Sequence, residues 1–258
     1  MSEAKSNLIK EKVHGVSELI RRFDFPMCPG CGHPIITTLV TQVLEEMGIA
    51  GKTIGAAGIG CAPNIVFNLK IDQISFTHGT APAVATGIKR VLGNDVVVFT
   101  AQGDGDCAAI GAGQLISAAA RAERITVIMA NNANYGTTGG QLSPTTLVEQ
   151  VTTTTPEGRD PHICGYPLHV AELVATMKGV AYSARGAVNN PANFRRAKKY
   201  LKTAFQKQMD DVGFTFVEIL AACPTDWHMT PIEALKWMEE KMIPELPLGE
   251  FKNVDKIE

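Results

Sequence analysis

No apolar run in the 258 residues approaches the ~20 needed to span a bilayer. Excess positive charge is also missing: 24 Lys and Arg stand against 26 Asp and Glu, a net charge of -2. That balance argues against nucleic acid as a partner, which a basic stripe would announce. There is no internal repeat and no low-complexity segment. The Gly-Lys-[Ser/Thr] of a P-loop is absent, and no dinucleotide-binding GxGxxG is formed. Arg21-Arg22 opens like a twin-arginine export signal, but residues 23–30 are polar and broken by proline where an apolar stretch would follow. The expectation is a cytoplasmic chain without a membrane or nucleic-acid role. Its 45% hydrophobic and 19% charged residues are ordinary for a globular protein.

What is present is an alternation of strand-like and helix-like segments. "DVVVFTA" and "RITVIMA" are continuous apolar runs, as expected of strands covered on both faces of a parallel sheet. The alanine-rich stretch 106–121 between them reads as a helix, so the unit is a right-handed crossover. Further strands are expected in "TIGAAGIG", "ISFTHG" (both short and buried), "GVAYSAR" and "FTFVEIL", and helices over 35–47, 81–92, 168–177, 191–211 and 231–242. The fold class is α/β, a doubly wound, mostly parallel sheet with helices on both faces. Residues 1–25 form a leader that lies against something else, 26–225 the α/β domain, and 226–258 a C-terminal extension with a proline-rich tail. Residues 132–167 lack periodicity and are dominated by Gly, Thr, Pro and Asn; a loop this long in a compact domain is usually functional.

"GDGD", residues 103–106, directly follows a strand and opens a helix, the place where α/β sheets bind ligands. Helix N-termini favour anions, so an aspartate there conflicts with a phosphate. The conflict disappears if Asp104 holds a divalent cation and the cation carries the phosphate, a role that suits Mg²⁺. The 28 residues from Asp104 to Asn132 are one β-α-β crossover, so both side chains emerge on one edge of the sheet. Asn134 can add its backbone carbonyl.

Six cysteines in an intracellular chain are ligands, catalysts or buried thiols before they are a disulfide framework. Cys28 and Cys31 in "CPGCGH" flank a Pro-Gly turn. Cys61 and Cys223 lie at expected strand ends on the side of "GDGD". Four thiolates suit structural zinc or a [4Fe–4S] cluster. Cys107 reads as a small buried filler or an activated thiol at a helix N-terminus, and Cys164 with His162 as a weak metal pair. His33 is a spare ligand or a structural residue.

Gly-Asp-Gly followed by Asn-Asn resembles the thiamine-diphosphate motif. With "CPGCGH", "GIGC", "HGTAPAVATGIKR", "NNANYGTTGGQLSPTT", "GRDP", "CGYPL" and "CPT" in this order, the chain from about Pro26 onward is similar to the thiamine-diphosphate-binding (beta) subunit of 2-oxoacid:ferredoxin oxidoreductases, in the 2-oxoisovalerate (branched-chain) and 2-oxoglutarate branch. The resemblance implies a thiamine-diphosphate-binding fold, with Asp104, Asn132 and Asn134 holding Mg²⁺ and Cys28, Cys31, Cys61 and Cys223 holding a [4Fe–4S] cluster. It implies a cofactor site formed by Ile59, Gly60, Cys61, Ala62, His78 and Gly79, by Gly103, Asp104, Gly105 and Asp106, and by Asn132, Tyr135, Gly136 and Thr137. His78 is the candidate catalytic side chain.

The implied reaction is CoA-dependent oxidative decarboxylation of a 2-oxoacid to acyl-CoA and CO₂, with electrons passed to ferredoxin. No Glu in the sequence suits the aminopyrimidine ring, so that residue is expected from a pyrimidine-binding (alpha) subunit, with gamma/delta-type subunits alongside, and this partner is expected to cover and order loop 132–167. Several positions depart from the family pattern. Thr80 stands where an Arg is common, Ser117 where a His is frequent, Thr137 where Met or Leu is usual, and Gly139 replaces a Lys that some relatives carry. Without those cations a second carboxylate has no anchor in this chain, so the expected substrate is a branched-chain 2-oxoacid, with 2-oxoglutarate the alternative. Two other classes stay open, a non-redox thiamine-dependent decarboxylase and a zinc-stabilised, non-enzymatic binding subunit. The basic run Arg195, Arg196, Lys198, Lys199, Lys202 and Lys207 is either a ferredoxin dock or a solvated helix face.

Overall fold

The computed structural model describes residues 15–21 and 25–257. Most of the expected leader therefore lies outside the described residues. Its described part is tied down: Ile20 is buried and bridges Leu69, and Arg21 Nε donates to the Leu69 carbonyl at 2.6 Å. No helix among the described residues is long and apolar enough to cross a membrane.

Seven strands form one sheet in the order β2-β1-β3-β4-β6-β5-β7: β1 (Thr53–Ala57), β2 (Asp72–Ser75), β3 (Val97–Gly103), β4 (Thr126–Asn131), β5 (Val180–Ala187), β6 (Phe214–Leu220) and β7 (Gly249–Asn253). The first six run parallel, and β7 pairs antiparallel with β5. The central strands β3, β4, β5 and β6 are buried almost throughout, which is why β3 and β4 read as largely apolar runs rather than alternating ones, while β5 and β6 also bury Arg185 and Glu218. On one face, α1 (His33–Glu46), α2 (Asn64–Phe67) and α7 (Pro191–Met209) close a core around Leu39, Val43, Ile65, Leu201 and Phe205. On the other face, α3 (Ala81–Leu92), α4 (Ala112–Ala120) and α6 (Val170–Ala175) pack Ala85, Leu115, Ala118 and Val174 against Val98, Val127 and Phe216.

Three local expectations need correction. β2 is an exposed edge strand rather than a buried one, because only β1 pairs with it. The helix expected over 106–121 opens with a π-helical turn, Asp106–Ile110, before α4. The Gly79 backbone packs against Ile110 and Gly111 so closely that a Cβ on either glycine would overlap it, and π-turns of this kind concentrate at functional sites. The proline-rich tail, for which no strand is expected, contains β7. The 231–242 helix appears as α8 (Pro231–Trp237), capped by a reciprocal Thr230–Glu233 box, followed by a π-turn, Met238–Met242. Residues 227–246 share a third core, in which Trp227, Ala234, Met238 and Met242 meet Ala133, Leu147 and Leu220. The short helices α5 (Pro161–Cys164) and α9 (Ile243–Glu245) complete the chain.

Candidate functional site

The carboxyl ends of β1, β3, β4 and β6 converge on one edge of the sheet. Chain leaves β1 toward β2 on one side and β3 toward β4 on the other. This divergence creates the crevice in which open α/β sheets bind ligands. A cavity there is lined by Ile59, Gly60, Cys61, Ala62 and His78, by Gly103, Asp104, Gly105 and Asp106, and by Asn132, Asn134, Tyr135, Gly136 and Thr137. Of the expected cofactor-site residues only Gly79 stands back, its N–H donating to Asp106 Oδ1 at 2.7 Å.

Asp104 is fully buried. Its Oδ2 accepts from Ser143 Oγ at 2.5 Å and from Thr145 Oγ1 at 2.6 Å. Its Oδ1 lies 3.0 Å from one end of the Asn132 amide, and that same amide end is 3.0 Å from the Asn134 carbonyl oxygen. With nitrogen inward the amide donates to both; with oxygen inward, three oxygens face one another with no hydrogen between them, and a flip interchanges the two arrangements. An octahedral Mg²⁺ with bonds of 2.0–2.1 Å sets neighbouring oxygens about 2.9 Å apart. The Asn132 oxygen therefore stands at the spacing of neighbouring ligands from both the Asp104 and the Asn134 oxygen. The backbone here is strained to suit: Ala133, between the two asparagines, takes φ 55°, a left-handed conformation that costs a side-chain-bearing residue about 1–2 kcal/mol. It is held by Asn131 Oδ1 on its N–H (2.9 Å) and by Thr146 Oγ1 on its carbonyl (2.7 Å).

Around this core the glycines are required by close approach. A Cβ on Gly105 would enter the ring of Tyr135, whose hydroxyl donates to the Gly105 carbonyl at 3.2 Å. A Cβ on Gly58 would overlap Asp106 Oδ2, which also accepts from Gln102 Nε2 at 2.7 Å. His78 Nδ1 abuts Asp106 Oδ1, and the imidazole is about one-third exposed toward the cavity. Asp106 is thus spent on the His78 ring and the Gly79 backbone, and of the two carboxylates only Asp104 faces the Asn132 and Asn134 oxygens.

A second cavity of about 440 Å³ adjoins the first, sharing His33, Gly60, Cys61, Asn132, Gly136 and Thr137, and it is lined by Cys28, Cys31, Cys61 and Cys223. No three of His, Cys, Asp and Glu among the described residues come within reach of a single ion, so the four sulfurs surround a volume rather than a point. Burial pushes the Cys31 thiol up to about 11 and Cys223 up to about 12, and it raises Cys61. Among the described residues no Lys or Arg lines this cavity, and metal coordination is the chemistry that would deprotonate these thiols. Three sulfurs have polar neighbours: Cys61 Sγ lies 2.9 Å from Thr137 Oγ1, Cys31 Sγ 3.1 Å from His33 Nδ1, and Cys223 Sγ 3.1 Å from Asp226 Oδ2. Burial lowers His33 to about 4, so it is neutral at physiological pH.

Loop 132–167 makes an internal set of contacts. Arg159, 4% exposed, spends its guanidinium on carbonyls of Pro144 and Thr146 (3.0 and 2.5 Å), Cys164 and Tyr166 (3.1 and 2.7 Å) and Gly165 (2.8 Å). Its hydroxyl residues Ser143 and Thr145 reach Asp104. Neither role was apparent from sequence; the available signal was one arginine in a loop of Gly, Thr and Pro. Cys107 is fully buried in the second-face core, and burial raises its thiol, so it is filler. Cys164 and His162 gain no third ligand among the described residues. On α7, Lys198 and Lys202 pair with Glu46, and Lys207 is buried against Asp255 and the Val254 carbonyl. Only Arg195, Arg196 and Lys199 of that run are exposed. Thr80 Oγ1 donates to the Thr77 carbonyl at 2.7 Å.

Residues 58–219 match the thiamine pyrophosphate enzyme C-terminal TPP-binding domain. The ketoisovalerate oxidoreductase subunit VorA of Methanothermobacter thermautotrophicus is 40% identical over 226 residues, 88% of this chain and 47% of the relative. The chain thus spans about half the length of that protein. The 2-oxoglutarate synthase subunit KorB of the same organism is 36% identical, over 91% of this chain and 85% of the relative. Among solved structures, 2-oxoglutarate:ferredoxin oxidoreductase from Magnetococcus marinus, with 2-oxoglutarate, coenzyme A and succinyl-CoA bound, superposes with a TM-score of 0.76 at 26% identity, covering 95% of this chain and 87% of that one. The chain belongs to the thiamine pyrophosphate enzymes and, within them, to the family of 2-oxoacid:ferredoxin oxidoreductase subunits.

Proposed function

We propose that this chain is the cofactor-binding subunit of an enzyme that decarboxylates a 2-oxoacid oxidatively, forms its coenzyme A thioester and passes the electrons to ferredoxin. The observation that carries the reading is the junction of two cavities, one with three cation-spaced oxygens at Asp104, Asn132 and Asn134, the other walled by four cysteines. When bound, thiamine diphosphate supplies the electron sink for loss of CO₂ and a [4Fe–4S] cluster supplies one-electron acceptance. Asp104, Asn132 and the Asn134 carbonyl hold Mg²⁺ against the diphosphate. Gly103 and Gly105 let the backbone approach it. Cys28, Cys31, Cys61 and Cys223 hold the cluster, whose ligand Cys61 also lines the cofactor cavity. His78, fixed by Asp106, is the side chain placed to exchange a proton with substrate.

Among the described residues no Lys or Arg lines either cavity. This supports a neutral-tailed, branched-chain 2-oxoacid over 2-oxoglutarate, which must anchor a second carboxylate. A pyrimidine-side subunit completes the site, since among the described residues no Glu lines the cofactor cavity. The unmatched half of the ketoisovalerate relative leaves room for such a unit. Gamma/delta-type subunits would complete the assembly.

The test is anaerobic purification of the chain with its partners, followed by iron, sulfide, zinc and thiamine diphosphate analysis and substrate-dependent ferredoxin reduction. About four irons with four sulfides per chain and turnover of 2-oxoisovalerate ahead of 2-oxoglutarate are expected. Zinc without thiamine diphosphate refutes the reading and leaves a binding subunit. Thiamine diphosphate without iron leaves a non-redox decarboxylase.

A further inference from the structure

The hydroxyls on Asp104 belong to a buried chain of polar groups that the cofactor reading does not use. Thr145 Oγ1 contacts both Asp104 Oδ2 (2.6 Å) and Asn131 Oδ1 (2.9 Å). Asn131 Nδ2 donates to Glu218 Oε1 at 2.7 Å, and Glu218 Oε2 accepts from Arg185 Nε at 2.8 Å. Arg185 then grips Glu172 with both terminal nitrogens, at 2.8 and 2.5 Å. Asn131, Glu218 and Arg185 lie on adjacent strands β4, β6 and β5, and all three are fully buried.

Each link fixes the next one's orientation. Both Glu218 oxygens accept, Oε2 from Arg185 Nε and Oε1 from the Asn131 amide nitrogen. The Asn131 amide must therefore turn its nitrogen to Glu218 and its oxygen to the site. That oxygen accepts from the Ala133 N–H at 2.9 Å, holding the left-handed turn between Asn132 and Asn134, and it stands 2.9 Å from Thr145 Oγ1, whose single proton goes either to it or to Asp104 Oδ2. Ser143 and Thr145 in turn occupy Oδ2 of Asp104, leaving Oδ1 for the cation.

We infer that Ser143, Thr145 and Asn131 are positioning residues for the divalent cation, holding the Asp104 and Asn132–Asn134 oxygens in one orientation. The inference rests on the proposed cofactor reading, and it adds that loop 132–167 carries the outer support of the metal site. Outer partners of this kind are worth 10–100-fold in metal affinity.

The experiment is Mn²⁺ binding to the full chain with its co-purified partners, in the presence of thiamine diphosphate, followed by the electron paramagnetic resonance of free and bound Mn²⁺. Thr145→Val keeps the shape and removes the hydroxyl; Thr145→Ser keeps the hydroxyl; Ser143→Ala removes the second donor. Thr145→Val and Ser143→Ala should each weaken Mn²⁺ about tenfold or more, and Thr145→Ser should restore the affinity to within about threefold of the parent. Unchanged Mn²⁺ affinity in Thr145→Val and Ser143→Ala, with binding lost in Asp104→Ala, overturns the positioning role and leaves the cofactor reading intact. A parent protein whose Mn²⁺ binding ignores Asp104→Ala overturns both. Should Thr145→Val fail to fold, Ser143→Ala alone decides, since Ser143 lies in the loop outside the strands.

Discussion

Replacing Asp104 by Asn should stabilise the cofactor-free protein while abolishing its response to divalent cations. Burial raises the Asp104 carboxyl from 3.8 to about 6, against the lowering effect of the Ser143 and Thr145 hydroxyls. The unfolded chain titrates near the lower value. Between the two, the native state therefore holds more protons than the unfolded state, and stability falls as pH rises through the window from about 4 to about 6. Above it, an ionised Asp104 without a cation costs about 3 kcal/mol at ~1.4 kcal/mol per pH unit.

Asn removes that cost and suits the vacated geometry. Its oxygen can take the Ser143 and Thr145 hydroxyls, and its NH₂ can donate toward Asn132 and Asn134. Allowing for imperfect fit, the gain at pH 8 is about 1–3 kcal/mol, a rise of about 2–10 °C in Tm for a chain of this size. At pH 4.5 Asp104 is protonated and the gain should vanish. The assay is thermal denaturation followed by circular dichroism at both pH values, with and without Mg²⁺ and thiamine diphosphate. Added cofactor should raise the Tm of the parent by mass action and leave the variant unmoved. A parent-to-variant gap that is equal at pH 4.5 and pH 8, or a variant less stable than the parent at pH 8 without cofactor, refutes the reasoning.

Other perturbations follow from the same geometry. Arg159→Leu orphans the carbonyls of Thr146, Cys164, Gly165 and Tyr166, while those of Ser143 and Pro144 keep a backbone N–H; it should cost about 3–5 kcal/mol and open loop 132–167 to limited proteolysis, and a loop as protected as the parent's would show that the guanidinium is dispensable. Gly105→Ala drives a methyl into Tyr135; a stability loss of about 1–3 kcal/mol is expected together with weaker thiamine diphosphate binding by calorimetry, and full retention of both would mean the ring moves aside freely. Thr137→Val removes the hydroxyl beside Cys61; in the iron–sulfur protein, loss of a hydrogen bond to a ligating sulfur should make the reduction potential more negative, and an unmoved potential would show that the hydroxyl points elsewhere.

Local sequence spacing made part of this site readable. Asp104 and Asn132 were legible because both follow strands that are apolar along their whole length and one crossover apart, and helix α3 over 81–92 was legible because Pro82 starts it and Gly93 ends it. The order within loop 132–167 was not legible, since Arg159, Ser143 and Thr145 act on groups without any periodic relation to them. The buried guanidinium ties the loop's carbonyls together from within. Buried charge was equally hidden: Arg185 in "YSARGA" and Glu218 in "FVEIL" look like ordinary strand ends, and only the register Arg185↔Glu218 brings them together. β7 was missed because an antiparallel edge strand in a tail with prolines needs β5 beside it before it becomes a strand at all.

The wall between the two cavities is one residue thick where Gly60, Cys61, Gly136 and Thr137 face both sides. A partition that thin couples the evolution of its two compartments. A side chain at Gly136, where a Cβ would already sit 3.1 Å from Asp226 Oδ2 and 3.3 Å from Asn132 Nδ2, reshapes both at once. A substitution in this partition is therefore felt in both compartments, whereas one on the outer rim is felt in one.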